Sequence, residues 1–521
     1  MARYLPLLAL LAVLVAPVSA PAAGFRYGVT AGEVTHKSAV LWTRADKDGA
    51  YSLEVARKPN FRDLVEQEDV RARGRRDNTI VQRVGGLKPD KTYFYRFVGK
   101  GQQSDQASDT GRFRTAPKRN SNATVEFGLS GDADGVRTLE GDPFYNRFEV
   151  YGRMARQGND FNVNLGDTIY TDSEVVGVPI PPGDSVAAKR AKYQLNLGYR
   201  NLQRFRRATG VYFHWDDHEF INDFSRPEHG AGVYNAGVKA FREYNPITYS
   251  KARGIYRTFR WGRNVELFFL DERSFRDGKA SAGGTCDNPE TGEPDLAPTA
   301  PQRLRDRFAL LVPSLAQPVA QECLDMIRDE DRDFIGDAQY RRFTEAIQSS
   351  KATWKIIVNE MPIQTYYALP YDNWSGYEAE RLRLLRFLRD NVRNAVFLTT
   401  DVHANMVNDA RLATFPEEDP AAPVNSGILD ITTGPVATRT FDRQINDNAG
   451  NPNAGEAVRL AFLKTPPPDG VGMQCAAIDV YSYMQVRATA NKLTVRLLDD
   501  RNRNVAEAPG ERCARIELQR R

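Results

Sequence analysis

Short apolar runs recur from residue 125 onward, at 125–129, 161–165, 211–215, 265–270, 356–358 and 395–398. Each is bounded by polar turns, which predicts buried strands. Each also stops at a cluster of Asp, His, Glu or Arg. The first ends at Asp132 and Asp134, the second at Gly166-Asp167-Thr168-Ile169-Tyr170, and the third at Asp216-Asp217-His218-Glu219. Asp271-Glu272-Arg273, Asn359-Glu360 and Asp401-Val402-His403 close the others. Strand ends gather ligands in sheet enzymes, because the loops there aim side chains into one crevice. Between the runs, helical spacing predicts helices at 144–157, 187–207, 339–350 and 377–392. The last places Leu382, Leu385, Leu388 and Val392 on one face with Arg on the other, the pattern of an outer amphipathic helix. Alternation of the two patterns predicts an α/β layered domain over 123–521. Residues 277–333, rich in Pro, Gly and Asp, read as an insertion near the site. Residues 483–488 and 493–498 predict a closing hairpin, with Ala490-Asn491 at its turn.

The pattern before residue 118 is different. Strand-like stretches at 38–44, 51–55, 79–84, 92–98 and 111–115 predict a small all-β domain over 24–117, followed by a polar linker. Residues 86–96 resemble the tyrosine corner of fibronectin-III and immunoglobulin-like sandwiches, where a Tyr near a strand start bonds back to a turn. Trp42 is expected in the core of this domain. Residues 1–23 read as a cleaved signal peptide, with Arg3 ahead of an apolar stretch and small residues at the cleavage site. Secretion or a periplasmic location follows as an expectation. No later stretch is apolar enough to cross a bilayer.

Composition narrows the picture modestly. An apolar fraction of 41% and a charged fraction of 26% are those of a globular protein. A net charge of +4 over 521 residues gives no sign of a nucleic-acid-binding surface. The Arg-rich stretches at 71–76 and 199–207 read as a solvated loop and a helix face. Cys286, Cys323, Cys475 and Cys513 suit an exported protein. Cys286–Cys323 and Cys475–Cys513 are the simplest bridges, although spacing does not choose among the pairings.

Oxygen-rich clusters with one or two His suit hard or borderline metal ions. Hydrolysis of a phosphate ester needs such ions, because two adjacent cations acidify a bound water and neutralise phosphoryl charge. Gly166-Asp167 suits a bridging position, since Gly leaves room for close approach at a strand end. Tyr170, three residues on, could reach one ion, and a phenolate ligand favours a hard ion such as Fe³⁺.

The segments 127–132, 164–170, 215–219, 270–276 and 400–403, in this order, resemble PhoD-type alkaline phosphatases of the calcineurin-like metallophosphoesterase superfamily. The resemblance spans roughly residues 25–500. It implies a four-layer αββα metallophosphoesterase sandwich preceded by an N-terminal fibronectin-III/Ig-like β-sandwich. It also implies Fe³⁺ with Ca²⁺ partners and hydrolysis of a phosphate monoester or diester. A lipid diester is a further substrate option, because relatives include an iron-dependent phospholipase D. Carried over by position, Asp167 bridges the metals and Tyr170 and His403 bind iron. Asp401, Asp217 and Asp216 hold the second site. His218 acts on the leaving oxygen, while Arg273 pairs with the phosphate or braces the site; these two are the catalytic candidates. Asn222 and Asn359 are candidates for supporting positions. The family's Cys ligand after the first strand of this domain is replaced by Ser130. Asp132 is therefore expected as the first-strand ligand, with Asp134 and Ser130 as substitutes. Exchanging a thiolate for a carboxylate opens the site to Mn²⁺ or Mg²⁺ as alternatives.

Packed like charges cost energy unless a cation compensates, so three acids around His218 argue for metal or catalytic use. His214 reads as a satisfied core residue, and His36 and His229 as loop residues. The aromatic loop 366–374 lines the mouth of the site or packs on the insertion. A glycoside hydrolase with paired carboxylates would leave Tyr170 and the His motifs unexplained. A binding protein would need idle acidic clusters.

Overall fold

Along the strand Phe161–Leu165 side chains alternate between two buried faces. Phe161, Val163 and Leu165 join Phe127 and Leu129 in one apolar cluster, which also holds Leu267, Phe269, Ile356, Val358, Val396 and Leu398 from a second sheet. The intervening residues face outward: Asn164 donates to the Tyr151 hydroxyl at 2.9 Å. Val211 and Phe213 pack with Tyr151, Phe205 and Phe241 of flanking helices. On the far side, Phe268, Ile357 and Phe397 meet Phe343, Leu384, Leu385 and Leu388. Strands buried on both faces read as continuous apolar runs, which is why they stand out in the sequence.

The computed structural model describes residues 24–101, 105–173, 175, 183–506 and 512–521; the expected signal peptide lies outside them. A 9-stranded sheet runs in the order Ile516–Gln519, Lys492–Asp499, Ser482–Ala488, Val125–Ser130, Phe161–Leu165, Gly210–His214, Val29–Gly32, Ala39–Arg44, Thr79–Val84. A 7-stranded sheet is built on Val265–Phe269, Trp354–Val358, Ala395–Thr399 and Val424–Thr432, all parallel. Val125–Ser130, Phe161–Leu165 and Gly210–His214 are also parallel, so their C-terminal ends open at one end of the sheet.

The N-terminal residues are not a free-standing unit. Leu64–Ala72, Gly49–Ala56, Thr92–Gly99 and Gly111–Arg114 form a separate 4-stranded sheet. The remaining N-terminal strands extend the 9-stranded sheet, with Ala31 paired to Gly210. This covers an edge that would otherwise expose unpaired backbone groups. The Lys88 amide donates to the Tyr93 hydroxyl at 2.9 Å, the bond expected of the corner. Trp42 is buried, but its indole donates to the Glu243 carbonyl at 2.7 Å and packs among the helices, away from the N-terminal sheet pair.

The helix expected at 187–207 is two, Val186–Leu197 and Arg200–Ala208, broken at Gly198 and an extended Tyr199. The long helix Arg226–Tyr244 escaped the periodicity argument because Pro227 and the non-helical Gly230 interrupt it. The helix Glu378–Asn391 buries Arg381 and Leu384 in place of Leu382. The Arg381 guanidinium reaches the Ile363 and Arg411 carbonyls. Both simplest disulfides are formed, Cys286–Cys323 and Cys475–Cys513. No helix of the described residues is long and apolar enough to cross a membrane.

Candidate metal centre

The site is assembled where the parallel strands end, and the backbone there is unusual. Asp132 (φ 58°), Asp167 (φ 45°), Asp401 (φ 68°) and His403 (φ 53°) all sit in the left-handed region. Each such residue costs on the order of 1 kcal/mol or more, and such strain concentrates at functional sites. Gly131 is required: a Cβ there would lie 2.2 Å from the Leu165 carbonyl oxygen. The turns are bolted together by Ala133 N–H to the Asp167 carbonyl at 3.0 Å and by the Thr400 hydroxyl to the Leu165 carbonyl at 2.8 Å. Glu219 accepts from the Thr168 and Asp216 amides at 2.6 and 2.8 Å. It is thus a latch between two loops, although the sequence groups it with the acids around His218.

Two adjoining ligand sets result. Asp132, Asp167 and His403 each offer an atom within 4.8 Å of the others, and so do Asp167, Asp217 and His218. Asp167 belongs to both. The Tyr170 hydroxyl lies 3.0 Å from His403 Nε2. A third set of Asp217, Asp223 and Asp372 continues from Asp217.

The donor atoms fit a cation. Asp132 is fully buried, and neither of its carboxylate oxygens has a hydrogen-bond partner. Burial, then the charge of Asp216, pushes Asp132 well above the usual carboxylate range. Burial does the same to Asp167 against the pull of His218, and to Asp401 with help from Asp216. Acids packed this way resist ionisation unless positive charge is supplied. Burial drives His403 down to about 3, leaving a neutral imidazole of the kind that binds metal.

His218 is oriented by a residue the motifs did not single out. Its Nδ1 lies 2.6 Å from the Asp172 carboxylate, and its ring packs on Tyr170 with centroids 4.1 Å apart. Burial alone would lower His218, but Asp217, Asp167 and Asp172 hold it well above the ordinary histidine value.

Several expected ligands are placed differently. Asp134 belongs to none of the ligand sets; its oxygens accept from the Val136 amide and the Ser173 hydroxyl. The Ser130 hydroxyl is spent on the Ser482 carbonyl at 2.9 Å. Asp216 also lies outside the sets, with one oxygen held by Arg273 at 2.6 Å and the other buried without a partner. Asp401 joins no set but stands close enough for its charge to act on Arg273. Arg273 is fully buried and clamps Asp216 and Asp372 at 2.6 and 2.7 Å. Its Nη2 is buried without a hydrogen-bond partner, 3.6 Å from the Asp217 carboxylate.

His214 is buried against the Trp215 carbonyl and Glu360, and His229 bonds to Ser225. The aromatic loop packs on the insertion and the residue after it: the Tyr371 hydroxyl donates to the Asp295 carbonyl at 2.8 Å, and Trp374 meets Phe334 at 4.6 Å. The same loop delivers Asp372.

The open side of the centre is a cavity of ≈ 160 Å³ lined by Tyr170, His218 and His403 on one wall and Tyr145, Arg439 and Gln444 on the other. Arg439 and Gln444 come from the segment around helix Phe441–Ala449, which carried no motif. Gln444 Nε2 is placed 2.8 Å from His403 Nδ1.

Comparison with known proteins matches residues 141–497 to the family described as PhoD-like phosphatase, and residues 13–117 to its N-terminal domain. Alkaline phosphatase D of Bacillus subtilis (strain 168) is 24% identical over 429 residues, 74% of this chain and 65% of that protein. The match thus spans just under two thirds of the curated relative's length. Among solved structures, that of PhoD superposes with a TM-score of 0.72 at 20% identity, covering 97% of this chain and 92% of the other. Purple acid phosphatase PPD1 from yellow lupin (Lupinus luteus) gives 0.55 at 10% identity, covering 95% and 74%.

Proposed function

The chain belongs to the PhoD-like phosphatase family, and from that premise we propose that it is a secreted, metal-dependent phosphoesterase acting on phosphate monoesters or diesters. One observation carries the reading: the buried, unpartnered Asp132 carboxylate facing Asp167 and His403. The helix, sheet, sheet and helix clusters support a four-layer αββα catalytic domain, and the paired N-terminal sheets a fibronectin-III/Ig-like sandwich.

Asp132, Asp167, Tyr170 and His403 would hold the first cation, and the phenol beside them favours Fe³⁺. Asp167 and Asp217 would hold the second, with Ca²⁺ favoured by an oxygen-rich set and Asp223 and Asp372 adjacent. Bound there, the cations would supply charge neutralisation and an acidified water. Arg273 fixes the carboxylates Asp216 and Asp372 that frame the centre. His218, held by Asp172 at Nδ1, presents Nε2 to the substrate side and gives its proton to the leaving oxygen as the P–O bond breaks.

The test is hydrolysis of an aryl phosphate monoester and a bis-aryl phosphate diester by wild type and Asp167→Ala, with metal content measured on both. Turnover should vanish with chelator and in the variant, which should also lose bound metal. No release from metal-loaded wild type on either substrate would overturn the reading, and the ratio of the two rates names the subclass.

A further inference from the structure

At the end of the sheets opposite the metal centre, separate loops bring unpaired cations together. The parallel strands begin there, and five residues at ~3.3 Å each put this end about 16 Å from the ligand loops. The backbone joins the loops directly: Arg263 N–H to the Ser121 carbonyl at 2.7 Å, Thr353 N–H to the Arg263 carbonyl at 3.0 Å, and Lys355 N–H to the Asn394 carbonyl at 3.0 Å. Arg521 N–H bonds to the Asn394 side chain at 2.8 Å and Arg520 N–H to the Asn491 carbonyl at 2.9 Å.

These loops carry Arg119, Arg263, Lys351, Arg393 and Arg520, all exposed. The acids at this end are already taken by other cations. Glu266 pairs with Arg260, Glu126 with Arg487, Glu517 with Lys492 and Asp390 with Arg389. Burial lowers Lys355, and the charges of Arg260, Lys351 and Arg520 lower it further. A cavity of ≈ 130 Å³ opens on this face, lined by Arg389, Arg393, Arg521 and Ser426 over an apolar floor that includes Trp354 and Leu518. Excess positive charge on a chain of net charge only +4 is compensated best by an anionic partner.

We propose that this basic end docks on an anionic phospholipid surface, with the Arg389–Arg393–Arg521 cavity receiving one headgroup phosphate. The spread of cations over several loops exceeds what a single free phosphate needs. Among the described residues the only aromatic one of the exposed large hydrophobics is Phe144, far from these loops in the chain, so the described part of this face offers no stacking platform for single-stranded nucleic acid. Docking by this end leaves the metal centre facing away from the lipid.

The experiment is co-sedimentation of the full chain with phosphatidylglycerol and with phosphatidylcholine vesicles. Wild type and Asp167→Ala should bind the anionic vesicles alone and be released by salt. Arg393→Glu/Arg521→Glu and Lys351→Glu/Arg520→Glu should each lose about tenfold or more in partitioning. Both should hydrolyse a small aryl phosphate at the wild-type rate, which shows that they fold. Equal binding to both vesicle types, binding untouched by the charge reversals, or binding lost in Asp167→Ala would overturn the proposal. So would an inorganic-phosphate-induced thermal shift abolished in Arg393→Glu/Arg521→Glu without vesicle binding, or duplex DNA binding in place of vesicles.

Discussion

The proposed mechanism places its proton donor on His218. Asp172 at 2.6 Å fixes its ring, and the Tyr170 ring lies against it at a tilt of 30°. A proton donor matters most when the leaving group is a poor one. His218→Ala should therefore slow hydrolysis of an alkyl phosphate by roughly 10²- to 10⁴-fold and that of a nitrophenyl ester far less. Equal losses on both substrates would assign His218 to binding. The acids and His clustered at strand ends were legible as a site because like charges without compensation are costly. What the residue types could not reveal was which oxygens were already satisfied. Asp134 looks like Asp132 in sequence, yet local bonds to Val136 and Ser173 consume it. Arg273 reads equally as a phosphate partner or a brace, and only the fold shows that two of its nitrogens are held by Asp216 and Asp372. Asp223, six residues after Asp217, belongs to no motif, and Asp372 reaches the centre only through folding of a distant loop.

At the scale of elements, helix Phe441–Ala449 supplies Gln444 and Asn448 to the open wall of the site. It has no buried residue of its own. It is tied to the centre by Phe441 N–H to the His403 carbonyl at 3.1 Å and by Gln444 against His403 Nδ1. Amide oxygen and nitrogen exchange places easily, so Gln444 can turn its oxygen to accept from Nδ1–H. That leaves the Nε2 lone pair directed at Tyr170 and the acids. Gln444→Leu should weaken metal binding by about 10- to 100-fold while leaving thermal stability of the metal-free protein unchanged. Metal titration by calorimetry checks this, and unaltered affinity would reduce Gln444 to a surface contact. Strands buried on both faces were legible almost residue for residue. Helices were less so: in Glu378–Asn391 Arg381 turns inward onto carbonyls, and the apolar stripe shifts from Leu382 to Leu384. The basic end was invisible, because its cations come from loops far apart in the chain.

Across the whole molecule, the N-terminal residues are welded to the catalytic layers by polar as well as sheet contacts. Glu33 pairs with Arg257 at 2.7 Å, and Arg206 bonds to Thr30, Asn245 and the Tyr244 carbonyl. Asp77, in a left-handed turn, accepts from Arg44 at 2.9 Å, Gln194 at 2.8 Å and the Tyr244 hydroxyl. Burial alone would raise the Asp77 carboxyl, but the bonds from Arg44 and Tyr244 hold it below its ordinary value. A depressed folded-state pKa adds stability at pH above the unfolded value of about 3.9, and loses it as pH falls through the folded value. Asp77→Asn should therefore unfold at a lower temperature than wild type near neutrality, and the gap should close as pH drops below 4. Because the turn bridges both parts, the loss should appear as a shift of one shared transition and not as early melting of the N-terminal sheets. Two separate transitions in calorimetry, with only the first moved by the substitution, would show that the shared sheet does not couple the two parts.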